Sequence, residues 1–214
     1  MKTDELISLL AAAEPALDRH QLHKRFAVAL LAGGAAALLM VALLFGIRAD
    51  LGEAIGTPLF WAKVALPIGL VAAGMLLSSR MGRPGVSAGG LGLMLLSVPL
   101  FGVWLGSAVV LLEAPADARL AMVLGRTWRT CPFNIALLSM PVLVAVFWVL
   151  RGLAPTRQRL AGAAAGLLAG ALATLAYTLH CPEMGVAFWG VWYVLGMLVP
   201  SALGAVLGPL LLRW

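Results

Sequence analysis

Six long apolar runs restrict this chain to few folds. They lie at about 26–47, 58–79, 86–112, 132–150, 160–180 and 184–212. At about 1.5 Å per helical residue, a run of roughly 20 residues crosses the hydrocarbon core of a bilayer, which is about 30 Å thick. Each run must be helical, because lipid offers no hydrogen-bond partners to open backbone and a barrel would show short alternating strands instead. The sequence therefore predicts an all-α polytopic membrane protein with six transmembrane helices.

The composition supports this class and divides the chain into two parts. Hydrophobic residues make up 62% of the sequence and charged residues only 11%, whereas about a quarter of the residues in a water-soluble domain are charged. The opening stretch is polar, and it lacks the basic start and the cleavage site of a secretory signal peptide. We therefore expect a soluble segment at 1–25 and a six-helix transmembrane domain at 26–214.

Basic residues are distributed unevenly between the two sides of the predicted membrane domain. The side of the N-terminus carries ten of them: Lys2, Arg19, Lys24, Arg25, Arg80, Arg83, Arg151, Arg157, Arg159 and Arg213. The other side carries four: Arg48, Arg119, Arg126 and Arg129. Because cytoplasmic loops are enriched in Lys and Arg, this bias predicts that both termini are cytoplasmic. We interpret the net charge of +6 as this topology signal and predict no nucleic-acid partner.

Both cysteines fall on the outer side in similar surroundings. Cys131 lies in RTCPFN before the fourth run, and Cys181 lies in LHCPEM between the fifth and sixth runs. Because proline is favoured in the first turn of a helix, each cysteine is predicted at or near the start of an outer helix end. The expected neighbours of the two thiols are His180, Glu183 and Arg129. Lys63, inside the second run, is expected to extend outward to the membrane interface.

Three interpretations of the cysteine pair stay open at this point. One is a structural disulfide that closes a loop of about 50 residues. Another is a sensor pair that cycles between dithiol and disulfide, or in which Cys131 and Cys181 capture a soft metal ion under stress. The third is two unrelated thiols. No resident cofactor, no catalytic residue and no enzymatic activity are predicted, with a small membrane thiol/quinone oxidoreductase and a transporter as the alternatives.

The opening segment has the pattern of a short amphipathic helix that ends before Pro15. Its apolar stripe consists of Leu6, Leu9, Leu10 and Ala13. A helix this short is marginal in water, so the stripe needs a surface to pack on, either the protein's own helix ends or a partner protein. The acidic residues disfavour an anionic lipid surface. For a partner, the predicted contacts are Leu6, Leu9 and Leu10 as anchors, Ile7 as support, and Asp4 and Glu5 as charges.

Glycines recur at four-residue spacing in three of the runs. They are Gly102 and Gly106 in the third, Gly162, Gly166 and Gly170 in the fifth, and Gly204 and Gly208 in the sixth. Small residues at this spacing let helices approach closely. We expect these contacts to lie within the chain, and the oligomeric state stays open.

The pattern as a whole resembles a known family. The opening MKTDELISLLA, the six runs, TCP before the fourth run, LHCPEM, and then FWGVWY are similar to the NrsF-type family of proteobacterial inner-membrane proteins, negative regulators of extracytoplasmic-function sigma factors. The resemblance implies that the cytoplasmic N-terminal segment holds such a sigma factor inactive. It also implies that two periplasmic cysteines sense heavy-metal or oxidative stress and trigger release of the sigma factor.

Overall fold

The computed structural model describes residues 21–213, and every regular element within that range is a helix. The six long helices are α1 (Gln21–Met40, continued by a π-helical segment at Val41–Phe45), α3 (Pro58–Met81), α4 (Gly89–Glu113), α6 (Cys131–Arg151), α7 (Gln158–Tyr177) and α8 (Val186–Leu211). Two short helices, α2 (Leu51–Ile55) and α5 (Ala116–Leu124), lie in the connections. The six long helices are apolar enough to cross a membrane. The predicted all-α fold with six spans is confirmed.

The helix boundaries agree with the predicted runs to within a few residues, and the differences have local causes. α3 begins at Pro58, and the Thr57 hydroxyl accepts a hydrogen bond from the backbone N–H of Phe60 at 3.3 Å, which caps the helix. α7 ends at Tyr177 instead of residue 180, because the next N–H groups bond to carbonyls three residues back and Pro182 cannot continue a helix. The short helices α2 and α5 were missed because neither has a long apolar run.

α7 is the central helix of the bundle and packs against α3, α6 and α8. Its contact with α8 is a glycine seam, formed by Gly162, Gly166 and Gly170 of α7 and by Gly204 and Gly208 of α8. A Cβ atom on Gly162 would overlap the carbonyl oxygen of Gly204, and one on Gly166 would overlap the carbonyl oxygen of Pro200. The expectation that these glycines serve close packing within the chain is confirmed.

The glycine pair of α4 has different surroundings. Nothing lies within 4 Å of a Cβ atom built on Gly102, and a Cβ atom on Gly106 meets only Val186, at 3.5 Å. α4 lies at the edge of the bundle, against α3 and α8, and it exposes large apolar side chains such as Phe101 and Leu105. The expected close helix contact at this pair is therefore wrong, because the pair faces an open groove between the three helices.

The bundle has two ends with different contents. One end, where α1 begins and α8 ends, is called here the terminal end. There, Arg25 of α1 lies beside Gly152, and the Gln158 side chain donates a hydrogen bond to the carbonyl of Leu212 at 3.1 Å. At the opposite, cysteine end lie the start of α6 and the connection between α7 and α8. α1 runs between the two ends and packs closely on α6, where a Cβ atom on Gly33 would lie 2.8 Å from the Cα of Val142.

Candidate functional site: a buried thiol cluster

Both cysteines lie at the cysteine end as free thiols with no solvent exposure. They belong to one continuous core and are close enough to act on each other electrostatically. Three polar side chains share this position, and together the thiol cluster consists of Cys131, Cys181, Lys63, Tyr177 and Tyr193. The sequence predicted neighbouring cysteines, and the structure places both in one buried core at the same end of the bundle, closed to water.

The two cysteines occupy different backbone positions. Cys131 is the first residue of α6, and its N–H group bonds to the carbonyl of Thr127 at 3.0 Å, as expected for a residue that opens a helix. The N–H of Cys181 instead bonds to the carbonyl of Tyr177 at 3.0 Å and closes the last turn of α7. The prediction that Cys181 starts an outer helix is therefore wrong: an irregular stretch follows it, and α8 begins only at Val186.

Lys63 is the residue that the sequence placed wrongly. Its side chain is fully buried, and Nζ donates to the carbonyl oxygens of Cys181 and Glu183, each at 2.8 Å. Nζ also lies 5.5 Å from the ring centroid of Tyr193. Lys63 thus turns into the thiol cluster instead of toward the outer surface of the bundle, because backbone carbonyls accept hydrogen bonds from its ammonium group there. A lone cation within an apolar run was the available signal, since intramembrane charges usually face a protein interior.

The connection that carries Cys181, residues 178–185, is named here the Cys181 loop, and Arg48 fixes it from the side of α1. Its Nη1 donates to the Cys181 carbonyl at 3.2 Å and contacts the sulfur of Met184 at 3.4 Å. Asp50 orients Arg48 through two hydrogen bonds of 2.7 Å. These bonds lower the pKa of the Asp50 carboxyl from 3.8 to about 2. The Cys181 carbonyl therefore accepts from two cations, one on α3 and one following α1.

Glu183 ties the Cys181 loop to the chain that precedes Cys131. Its Oε1 accepts from the backbone N–H of Arg126 at 2.6 Å and from that of Thr127 at 3.2 Å. Gly125, with φ of +55°, makes this turn, which a residue with a side chain rarely adopts. The Glu183 carboxylate therefore joins the two cysteine-bearing segments, while its backbone carbonyl holds Lys63.

His180 and Arg129, the other expected neighbours, have their own partners. The Nδ1 atom of His180 lies 2.9 Å from the carbonyl oxygen of Gly46, so that Nδ1 donates there, and the ring packs between Phe45 and Tyr177. His180 thus attaches the Cys181 loop to the end of α1. Arg129 is exposed, and its guanidinium lies 5.1 Å from the ring centroid of Trp128. No contact given by the structure joins Arg129 to either thiol.

The cluster does not have the form of a metal centre or a hydrolase site. Within residues 21–213, no three His, Cys, Asp or Glu side chains form a group that could hold a metal ion. Residues 85–89 read GVSAG, a GxSxG pattern, but they link two helices, and the Ser87 carbonyl accepts from Arg80 at 3.0 Å. A hydrolase nucleophile of this pattern sits between a strand and a helix.

The predicted partner-binding residues lie outside the described part of the chain. They are Asp4, Glu5, Leu6, Ile7, Leu9 and Leu10.

These features define a class, a membrane protein of six helices with two buried thiols at one end of the bundle. A family model described as "Negative regulator of sigma F" (NrsF) matches residues 10–214, and the chain belongs to this family, as its sequence pattern indicated. It is 45% identical over 214 residues to the probable anti-sigma-F factor NrsF of Azospira oryzae. It is 41% identical over 222 residues to the anti-sigma-F factor NrsF of Caulobacter vibrioides, and both alignments cover each chain completely. No solved structure matches the chain.

Proposed function

We propose that this protein is a membrane-bound anti-sigma factor that holds a sigma factor inactive through its N-terminal segment and releases it when Cys131 or Cys181 reacts. The observation that carries the proposal is similarity over the whole chain to proteins named anti-sigma-F factors. The expected partner is a sigma factor of the extracytoplasmic-function class. Membership of a family of negative regulators also favours a regulator with no catalytic role.

The proposed location is the bacterial inner membrane, with the terminal end of the bundle in the cytoplasm and both cysteines in the periplasm. The excess of Lys and Arg on the side of the termini supports this orientation. Segment 1–25 then lies on the same side as RNA polymerase. Its sigma-binding contacts are the anchors Leu6, Leu9 and Leu10, the supporting Ile7, and the charges of Asp4 and Glu5.

α1 supplies the physical connection between the thiols and the N-terminal segment. Its outer end is tied to the Cys181 loop by His180 at Gly46 and by the backbone bond from Arg48 to the carbonyl of Leu179, at 3.0 Å. Its middle packs on α6, the helix that Cys131 opens. A change at either thiol therefore acts on an element in direct contact with α1. Since α1 begins at Gln21, within segment 1–25, a shift of α1 changes how the rest of that segment is presented to its partner.

Two chemical events can operate such a thiol sensor. An oxidant can accept two electrons from the pair, which releases two protons and forms one Cys131–Cys181 disulfide bond. A soft heavy-metal ion can instead displace the two thiol protons and bind both sulfurs. Because both thiols are fully buried, the Cys181 loop has to open before a reagent arrives. Either product changes the packing between the start of α6 and the end of α7.

The test of sigma binding uses full-length protein in the native bacterium with Leu6→Asp and Leu10→Asp combined. We expect this variant to insert normally and to lose the sigma factor, because both anchors of the stripe become charged. The matched control combines Ser8→Asp and Ala11→Asp, which add the same charge to the opposite face of the predicted helix. Co-purification from membranes and transcription from a sigma-dependent promoter are the two measurements. Unaltered repression by the Leu6/Leu10 variant would show that the stripe does not bind the partner.

A further inference from the structure

Two cations bond to the backbone of the Cys181 loop, Arg48 and Lys63, and Lys63 lies inside one of the long apolar helices. Lys63 of α3 has no solvent exposure, and its two hydrogen bonds of 2.8 Å go to the carbonyls on either side of Pro182. Short bonds to carbonyls, with an aromatic ring face at 5.5 Å, are the surroundings of an ammonium group. An ammonium group inside an apolar bundle persists only where such acceptors are fixed around it.

The charge of Lys63 depends on the loop because its acceptors are parts of the loop. In the part of the chain that the structure describes, no carboxylate lies within ion-pair distance of Nζ. If the Cys181 loop lifts away, the ammonium group loses both carbonyls, and of the contacts described above only the ring of Tyr193 stays beside it. The loss of buried bonds to a charged group makes this opening unfavourable.

Arg48 contacts the same carbonyl but does not depend on it in the same way. It follows α1, outside the long apolar helices, and Asp50 holds it through two bonds of 2.7 Å that do not involve the loop. When the loop opens, Arg48 keeps the exposed carboxylate of Asp50 as its partner. Lys63 has no equivalent second partner, so it contributes more than Arg48 to keeping the loop closed.

We propose that Lys63 is a positioning residue of the thiol cluster, whose ammonium group holds the Cys181 loop closed and sets how readily a reagent reaches Cys181. The inference rests on the proposed function in one step only, the step from thiol reaction to release of the sigma factor. Closure of the loop is a property of the fold and is measured without the sigma factor. In the cell, Lys63 would determine the stress level at which release begins.

The test measures the rate at which N-ethylmaleimide labels Cys181 in membranes, in a Cys131→Ser background with one reporting thiol. Lys63→Met, which keeps the length and removes the charge, is expected to raise the rate by about ten- to hundredfold. Lys63→Arg, which keeps charge and donors, should stay within about threefold of the parent. Lys63→Gln keeps a neutral amide that can still donate to a carbonyl and should give an intermediate rate, so the series remains informative if the Met variant folds poorly.

Two results would overturn the inference. An unchanged or slower rate in Lys63→Met would show that the charge does not hold the loop closed. Equal acceleration at a cysteine introduced at Ala169, a fully buried residue in the middle of α7, would show general loosening of the bundle. The expected result is fast labelling at Cys181 and none at Ala169→Cys.

Sigma release measured in the same membranes separates this inference from the proposed function. With both cysteines present, Lys63→Met should lower the concentration of the thiol oxidant diamide that gives half-maximal release. If labelling accelerates but no variant ever releases sigma factor, the sensing function fails while the role of Lys63 stands. If diamide releases sigma factor from the parent but labelling of Lys63→Met is not faster, only the role of Lys63 fails.

Discussion

The glycine seam and the thiol cluster are held together in opposite ways. In the seam, α7 and α8 approach until a Cβ atom has no room between their backbones. In the cluster, individual side chains such as Lys63, Arg48 and Glu183 hold the backbone of short connections through hydrogen bonds. Close backbone contact has one geometry, whereas hydrogen bonds to a loop can break and re-form. From this difference, we expect the middle of the bundle to be rigid and conformational change to occur at its cysteine end.

The largest effect is expected where the seam is broken. A Cβ atom at Gly166 would overlap the carbonyl of Pro200 and lie 2.6 Å from the Cα of Ser201, so Gly166→Ala forces α7 and α8 apart. We expect a loss of about 3 kcal/mol or more in the free energy of unfolding, measured by denaturation in detergent. Gly102→Ala is the matched control, because its Cβ meets nothing within 4 Å. Equal stability of the two variants would refute the rigid seam.

A smaller effect is expected at the connection between the two cysteine segments. Glu183→Ala leaves the backbone N–H groups of Arg126 and Thr127 without their acceptor. We expect a loss of about 1 to 2 kcal/mol and faster maleimide labelling of Cys131 in a Cys181→Ser background. Glu53→Ala removes an exposed acid from α2 and serves as the control. Labelling that stays at the parental rate would mean that Glu183 does not keep these segments together.

His180 allows the contribution of hydrogen bonding to stability to be separated from that of ring packing at the cysteine end of α1. His180→Phe keeps a ring between Phe45 and Tyr177 and removes the bond to the Gly46 carbonyl. The expected loss is about 1 kcal/mol, seen as a modest fall in Tm. A matching loss in His180→Leu would show that the hydrogen bond, and not the ring, is the main contribution. A much larger loss in His180→Leu would assign the main contribution to the ring.

The smallest effect concerns the pair formed by Arg48, whose side chain is largely buried, and the exposed Asp50. Because Arg48 lowers the pKa of Asp50 to about 2, the pair contributes stability above the usual pKa near 3.8 and loses it as pH falls toward 2. The Tm difference between the parent and Asp50→Asn should therefore be small and constant from pH 5 to 8, and it should shrink below pH 4. A difference that changes between pH 5 and 8 would contradict this assignment.

The sequence predicted the six helices, close helix packing within the chain at the glycines of α7 and α8, and the shared location of Cys131 and Cys181, because these follow from long apolar runs, glycine spacing and chain order. It did not predict that α7 and α8 pack on each other. It did not predict the contacts of Lys63 and Glu183. Lys63 donates to carbonyls of the Cys181 loop, and Glu183 accepts from backbone N–H groups that follow the turn at Gly125. Backbone partners of this kind leave no mark in the residue pattern. Pro182 suggested a helix start after Cys181, but bonds within the last turn of α7 determined the local structure.

The most direct test of the account compares the parent with Cys131→Ser/Cys181→Ser in native membranes, by measuring how much sigma factor co-purifies before and after treatment with diamide or Hg²⁺. Serine keeps the size of each side chain but neither forms a disulfide nor binds a soft metal. The account predicts that both proteins hold sigma factor at rest and that only the parent loses it after treatment. Equal loss of sigma factor from the serine variant would show that the thiol cluster is not the sensor.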